Sequence, residues 1–292
     1  MMMSTSITKE VEVQCTTKPN WLQLPIDVTA NILFKLDTFE ILKSARNVCS
    51  LWWKICKDPV MWQTIHMNNF YRGVYVPHRQ IPVYLAKICR YAVELSRGHL
   101  KDIYIYRFAT DDLLKYIVDR ACNLRCIRLV LCNNVSSQVL IELGMKLPLL
   151  EELDISISMF SGYCLPQKLK EFNRLPYEIT VTCNYDAFAI AKSMPGLRRL
   201  NIGGHPLDNV GLLAILDGCP RLEFLDLRGC FNLKFSENLE KRCHDQIKDL
   251  LLPDDLLDNG YWWECCLDYK CEDCRWSSED EDSSYHSCDS EF

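Results

Sequence analysis

Residues 20–67 read NWLQLPIDVTANILFKLDTFEILKSARNVCSLWWKICKDPVMWQTIHM, and this stretch decides how the chain begins to fold. Pro25 suits the first position of a helix, because its fixed φ fits the helix and its missing N–H would have no partner there. Apolar side chains then recur at helical spacing, in a row that Leu33 widens. The row consists of Val28, Ile32 and Leu36.

Two further signals place a second helix in this stretch. Asp37 followed by Glu40 is the pattern of a capping box, which predicts that a helix opens there. Asp58-Pro59 predicts its end, because the residue before a proline avoids the α region. A helical module this short and this apolar buries itself poorly alone, so we expect it to bind a partner.

The order, spacing and residue types of the apolar positions resemble an F-box. An F-box is a three-helix module that docks on the Skp-type adaptor of cullin–RING (SCF) ubiquitin ligases. The other interpretation is an ordinary helical hairpin of a different domain. The resemblance implies that the adaptor-binding residues are Leu24, Pro25, Ile32, Leu36, Val48, Trp52 and Trp62.

A repeat follows the module. The pattern L-x-x-L-x-L, with Ile allowed, starts at Leu100, Leu124, Leu150, Leu197 and Leu222. Successive starts lie 24, 26, 47 and 25 residues apart, and the interval of 47 residues after Leu150 predicts an additional unit near residues 169–172. Helices are predicted between the strands, over 111–122, 136–147, 186–194 and 208–217. Such strand–helix units bury their apolar faces only by stacking into a solenoid.

These units resemble leucine-rich repeats (LRRs) of the cysteine-containing type found in plant F-box/LRR proteins, with Cys132 and Cys230 placed after their strands. The predicted fold class is therefore α/β, with an N-terminal three-helix F-box followed by a short leucine-rich-repeat solenoid. The predicted domains are a disordered N-terminus (1–19), the F-box (20–67), a linker and helix (68–99) that includes a helix over 82–95, the repeats (100–235), a capping helix (236–253) and a Cys-rich, acidic, disordered tail (254–292).

The repeats also predict a binding face. Side chains alternate along a strand, so the residues between the leucines point to the concave face of the solenoid. Aromatic and arginine side chains there are suitable binding anchors, although for any one residue the alternative is a solvated face with no ligand. The predicted target-binding residues are Tyr104, Tyr106, Arg128, Asp154, Arg199, Asn201, Asp226 and Arg228.

Charge and cysteine content narrow the class of protein. The net charge is −6, but residues 254–292 hold thirteen acidic and two basic side chains, so residues 1–253 are mildly basic, too weakly for nucleic acid. No run is long enough to span a membrane. Seventeen cysteines without an apolar leader segment predict reduced thiols and a location in the nucleus, the cytoplasm or both.

No catalytic motif emerges, and no metal or cofactor is predicted. The six histidines show no H-E-x-x-H pattern, and neither a G-x-S-x-G nor a Walker sequence is present. Cys271 and Cys274 have zinc-like spacing, but the adjacent Cys265-Cys266 pair fits a zinc ribbon poorly. The thiols therefore do not single out a site.

The resemblance implies a non-catalytic subunit of an SCF-type ubiquitin ligase. Its partners would be the Skp-type adaptor, through it the cullin and RING subunits, and an unknown target protein that is ubiquitinated and degraded by the proteasome. Neither nucleic acid nor membrane is an expected partner. The alternatives are an F-box/LRR scaffold without a role in ubiquitination, a small-molecule-assisted receptor, for which the resemblance implies about a dozen or more repeats, and, last, an enzyme.

Overall fold

The computed structural model describes residues 24–67, 81–132, 134–157, 184–230 and 232–255. The predictions for the N-terminus (1–19) and for the tail beyond residue 255, with its zinc-like cysteine spacing, lie outside the described residues.

The N-terminal module (24–67) consists of three short helices. They are α1 (Ile26–Leu33), α2 (Thr38–Lys43) and α3 (Ser50–Ile55), with 3-10 turns at Ala45–Asn47 and Pro59–Trp62. The predicted capping box is present: Asp37 Oδ1 accepts a hydrogen bond from Glu40 N at 2.7 Å, and Glu40 Oε2 accepts one from Asp37 N at 3.3 Å. Pro25 lies one position earlier than predicted, because its extended ψ makes it the N-cap rather than the first helical residue.

Within the described ranges, seven parallel strands form one sheet, in which the spatial order equals the order along the chain. The strands are β1 (Thr64–Met67), β2 (Asp102–Tyr106), β3 (Cys126–Val130), β4 (Glu152–Asp154), β5 (Arg199–Asn201), β6 (Phe224–Asp226) and β7 (Asp249–Leu251). The middle apolar residue of each strand is in register with the next, so one continuous buried row runs through the sheet. The predicted solenoid is therefore the fold.

The repeat pattern predicted neither of the two end strands of the sheet, β1 and β7. At the N-terminal end, β1 belongs to the helical module and still fits the repeat, with Trp62 in place of the first leucine and Ile65 and Met67 after it. At the C-terminal end, the predicted capping helix (236–253) is wrong in its last part. The helix stops at Gln246, and residues 249–251 pair with β6, because Ile247 lies one 25-residue period after Leu222 and starts another repeat.

The additional unit predicted near residues 169–172 lies outside the described residues. β4 pairs directly with β5, with Leu153 opposite Leu200 and Asp154 opposite Asn201. The sheet therefore continues without interruption across the interval of 47 residues, and residues 158–183 lie outside the described part of the chain.

Helices pack against the face of the sheet opposite the predicted concave binding face. They are α4 (Ile81–Ser96), α5 (Asp111–Val118), α6 (Ser137–Lys146), α7 (Tyr185–Ser193), α8 (Asn209–Gly218) and α9 (Glu237–Gln246). The side chains of Ser136 and Asp208 accept hydrogen bonds from the first helical turns, as their cap positions predict. Close stacking explains Gly144, where a Cβ would lie 2.5 Å from the Ser193 carbonyl oxygen.

The cysteines of the repeats serve the core. Cys132 Sγ donates to Ile105 O at 3.6 Å, and Cys230 Sγ donates to Ile202 O at 3.3 Å. Burial raises the pKa of the Cys132 thiol to about 11 and that of Cys230 to about 12. All nine cysteines within the described ranges are free thiols. Seven of them are buried and act as small hydrophobes, while Cys49 is partly buried and Cys122 is exposed.

Candidate functional site

The N-terminal module leaves large apolar side chains in water. Ile26 is 63% exposed and Val48 is 61% exposed. Phe34, Trp53 and Val60 are also classed as exposed. Apolar surface of this kind gains free energy when a partner covers it.

The seven residues predicted to bind an adaptor differ in how far a partner can reach them. Pro25 and Val48 are exposed, and Leu24, Ile32, Leu36 and Trp52 are partly buried. Trp62 has no exposed surface, and its indole Nε1 donates to Cys56 O at 2.8 Å. Trp62 thus stabilises the interior of the module and cannot contact a partner in this fold.

The prediction omitted Ile26, Phe34, Trp53 and Val60, which the structure exposes. The apolar row of α1 indicated a buried face but not which neighbouring residues the rest of the chain would leave uncovered. Trp53, next to the predicted Trp52, was the available signal. Its ring carries the Lys57 ammonium 3.6 Å from the centroid, a contact made at the surface.

The module is joined to the sheet through side chains as well as through β1. Thr38 Oγ1 in α2 accepts a hydrogen bond from His66 N in β1 at 2.9 Å. Arg46 Nη1 donates to Tyr91 OH in α4 at 3.3 Å, and its guanidinium lies over the same ring. The helical module and the repeats therefore share one continuous packed structure.

The concave side of the sheet forms a cavity of about 450 Å³. All eight residues predicted to bind a target line it, so the structure brings them together on one face. Their accessibility differs, since Tyr106 and Asp226 are largely buried while Arg199 is exposed. The cavity is also lined by His66, Val130, Glu152, Leu153, Ser156 and Phe224, which were not among those eight.

Most charges in the cavity are neutralised from within the fold. Arg128 donates through Nε and Nη2 to Glu152 Oε1, at 3.1 and 3.0 Å. Arg228 donates to both carboxylate oxygens of Asp226, with the shortest distance 2.6 Å. These bidentate contacts fix the guanidinium groups and leave little net charge at either place.

Aromatic side chains occupy both sides of the cavity. The rings of His66 and Tyr104 stack with centroids 4.4 Å apart at an angle of 13°. Burial lowers the pKa of His66, and the Arg128 charge lowers it further against an opposing effect of Asp37. On the other side, the Arg199 guanidinium lies 3.9 Å from the centroid of the Phe224 ring. These flat faces suit a ligand that stacks or carries a cation.

Asp154 lies between these two sides. Its Oδ1 accepts a hydrogen bond from Ser156 N at 2.9 Å, and its Oδ2 accepts one from Asn201 Nδ2 at 3.1 Å. Burial raises the pKa of Asp154; the hydroxyl and N–H of Ser156 and the Asn201 amide oppose the rise, while the Asp226 carboxylate adds to it. The buried Ser156 Oγ has no partner that meets the geometric criteria of a hydrogen bond within the described residues.

A line of alternating charges runs along the edge where the strands begin. Arg125 Nη1 lies 3.2 Å from Glu151 Oε1, and Arg198 Nη2 lies 2.6 Å from Glu223 Oε1. Lys248 Nζ donates to Glu223 Oε2 at 2.9 Å, and the hydrogen bonds from Lys248 and Arg198 lower the pKa of Glu223 to about 2. Each pair bridges two repeats, so this line stabilises stacking rather than marking a ligand site.

Within the described ranges, no group of three or more His, Cys, Asp or Glu side chains is arranged to hold a metal ion. The same part of the chain contains no helix with the length and apolar character needed to cross a membrane.

Comparison with known proteins identifies the N-terminal module first. A family model described as F-box-like matches residues 21–68. "Putative F-box/LRR-repeat protein 23" of Arabidopsis thaliana is 42% identical over 246 residues, which are 81% of this chain and 54% of that relative. The chain therefore spans about half the length of that protein.

Two other Arabidopsis thaliana proteins match over most of both lengths. "F-box protein SKIP19" is 39% identical over 261 residues, 87% of this chain and 83% of the relative. "Putative F-box/LRR-repeat protein 22" is 38% identical over 283 residues, 94% of this chain and 89% of the relative. A solved structure from Bacteroides fragilis aligns with 80% of this chain, at 15% identity and a TM-score of 0.34, too low to support an inference. The resemblance to F-box and LRR proteins is thereby confirmed by the relatives.

Proposed function

The chain belongs to the plant F-box/LRR-repeat family, and we propose that it is the substrate-recognition subunit of an SCF-type ubiquitin ligase. The F-box would bind a Skp-type adaptor, and through it the cullin and RING subunits. The concave face of the solenoid would bind a target protein for ubiquitination and proteasomal degradation. Family membership supports the adaptor role; the ligase step and the target belong to the proposal.

The exposed apolar surface of the F-box is the observation that carries the adaptor contact. Ile26 and Val48 are each more than half exposed, although the same module buries other apolar residues such as Leu33 and Ile41. A partner that covers them removes apolar area from water, which stabilises the complex by roughly 25 cal/mol per Å² before the cost of association.

The continuity of the F-box with the solenoid supports the second half of the proposal. β1 ends the F-box and pairs with β2 of the repeats, so a target held on the concave face keeps a fixed position relative to the adaptor. Such a subunit performs no bond chemistry itself. It accelerates transfer by raising the effective concentration of target lysines at the ligase.

The test is capture of a purified Skp-type adaptor by the full chain. Val48→Asp places a charge on the exposed F-box surface, and we expect it to weaken capture by about 30-fold or more. Leu24→Ala with Pro25→Ala in one chain should also reduce capture. Met145→Asp is the matched control, because Met145 is 67% exposed but lies on α6 of the solenoid. Equal capture by the Val48 and Met145 variants would contradict the adaptor contact.

The ligase step requires a separate measurement. When the protein is depleted in cells, the half-life of proteins captured by its solenoid should lengthen. An unchanged half-life for every captured protein would favour the alternative of an F-box/LRR scaffold that does not direct ubiquitination.

A further inference from the structure

We propose that the concave cavity receives a lysine or arginine side chain of the target protein, held by the Asp154 carboxylate and the Ser156 hydroxyl. This inference rests on the proposed function in one respect, namely that the occupant of the concave face is a protein.

Asp154 is the first reason. Three carboxylates line the cavity, and two of them are paired with arginine, Glu152 with Arg128 and Asp226 with Arg228. Asp154 has no ion pair within the described residues and accepts hydrogen bonds only from an amide group and a backbone N–H. A partly buried carboxylate without a cation is unfavourable, and a cation that enters the cavity reduces this penalty.

The Ser156 hydroxyl is the second and independent reason. Ser156 lines the same cavity, and its buried Oγ has no hydrogen-bond partner within the described residues. A buried hydroxyl in this state loses the interaction that water would supply. Ser156 follows Asp154 by two residues, and both line the concave cavity. One ammonium or guanidinium group carries enough N–H donors to serve both side chains at once.

The neighbouring arginines Arg128 and Arg199 do not form an ion pair with Asp154. Arg128 is the register partner of Asp154 on β3, but both of its described donors bond to Glu152. Arg199 on β5 stacks over Phe224 and forms no ion pair within the described part of the chain. Among the described residues, Asp154 therefore has no cationic partner.

The walls of the cavity also suit a cation. Tyr104, Tyr106 and Phe224 present aromatic rings, which attract ammonium and guanidinium groups to their faces. The stacking of Arg199 on Phe224 shows that a ring of this cavity already accepts a guanidinium. A volume of about 450 Å³ accommodates a long side chain together with neighbouring parts of an extended peptide.

The experiment uses the full chain and an array of nonapeptides. The central residue of each peptide is lysine, arginine, norleucine or glutamate, and the other positions are equimolar mixtures. We expect the lysine and arginine peptides to retain about tenfold more protein than the norleucine peptides, as a charged hydrogen bond implies. Asp154→Asn should abolish this preference, and Ser156→Ala should reduce it. Ser156→Ala also keeps the test decisive if the Asp154 variant folds poorly.

Asp102→Asn is the matched control, since Asp102 lies on β2 outside this cavity and should leave the preference unchanged. The proposal fails if norleucine or glutamate peptides are retained as well as lysine peptides. It also fails if no peptide retains the protein, or if the lysine preference survives both Asp154→Asn and Ser156→Ala. Adaptor capture by the same preparations reports separately on the proposed function, because loss of capture by the wild-type chain contradicts the adaptor role and leaves the peptide result interpretable.

Discussion

The F-box and the concave face of the solenoid leave opposite kinds of surface open. The F-box exposes apolar side chains such as Ile26 and Val48. The concave face is lined by charged groups, but Arg128 and Arg228 are already neutralised by carboxylates of the fold. A partner of the F-box gains chiefly from burial of apolar area, which depends little on detail. A partner of the concave face gains only where it satisfies groups that the fold leaves unsatisfied, and this favours selectivity.

Two tryptophans of the F-box provide the largest expected effect. Trp62→Ala removes a fully buried ring that also starts the repeat pattern of β1, so we expect a loss of about 3–5 kcal/mol of unfolding free energy. Trp53→Ala removes a ring that is partly in water, and its effect on stability should stay within about 1 kcal/mol while adaptor capture weakens. Urea unfolding followed by circular dichroism measures both. Equal losses of unfolding free energy in the two variants would contradict the assignment of Trp62 to the core and Trp53 to the surface.

A buried polar contact between repeats comes next. Asn184 Nδ2 donates to Asp208 Oδ1 at 2.7 Å, and its Oδ1 accepts from Asp208 N at 3.2 Å. Asn184→Ala leaves both groups of Asp208 without this partner, which should cost about 1–3 kcal/mol in urea unfolding. Asn209 makes the equivalent contacts with Lys234 in a more exposed place, so Asn209→Ala should cost less. A larger loss of unfolding free energy for Asn209→Ala than for Asn184→Ala would contradict the expectation that the more buried contact contributes more to stability.

Asp154→Asn tests the unsatisfied charge on the concave face. Because the pKa of Asp154 is raised, the folded state holds its proton at pH values where the unfolded state has lost it, and wild-type stability falls as pH rises through that window. The variant lacks this penalty. It should therefore be more stable than the wild type at pH 7, and the gain should vanish as the pH falls below the ordinary pKa of aspartate. A variant that is less stable at pH 7 would contradict this sign.

The smallest expected effect concerns Glu223 on the edge of the sheet. Its pKa is lowered to about 2, so its contribution to stability is present above the ordinary pKa of glutamate and is lost as the pH falls toward 2. Glu223→Gln should lower the urea midpoint slightly at pH 7, and the difference should shrink in high salt because the pair is at the surface. A difference that persists at 1 M salt would indicate a role beyond the exposed ion pairs.

The order of apolar residues along the chain was sufficient to predict most of the repeats. Leu100, Leu124, Leu150, Leu197 and Leu222 each precede an observed strand, because a periodic apolar residue must be buried wherever the units stack. The pattern did not predict the repeat at Ile247, because the apolar residues there are also spaced as in a helix. It did not predict the repeat at Trp62 either, because an aromatic ring replaces the first leucine. Across the interval after Leu150, β4 and β5 pair directly, and the unit predicted near residues 169–172 lies outside the described residues.

The eight concave residues show the other limit of sequence reasoning. Strand alternation placed all of them around one cavity, since side-chain direction is a local property of a strand. Alternation did not distinguish the paired Arg128 from the unpaired Asp154, nor did it select Ser156. Those differences depend on which side chain of a neighbouring strand comes within hydrogen-bond distance.

The sequence by itself determined the F-box, the repeat and the face on which a target would lie, because helical period, strand alternation and repeat length are written in the order of residues. Only the tertiary structure decided that Trp62 is core and that Val48 and Trp53 stay in water. It also decided that, among the described residues, Asp154 forms no ion pair and Ser156 Oγ has no hydrogen-bond partner. The ion pair of Arg128 and Glu152 joins residues that are 24 positions apart, and local pattern carries no information on contacts at that separation.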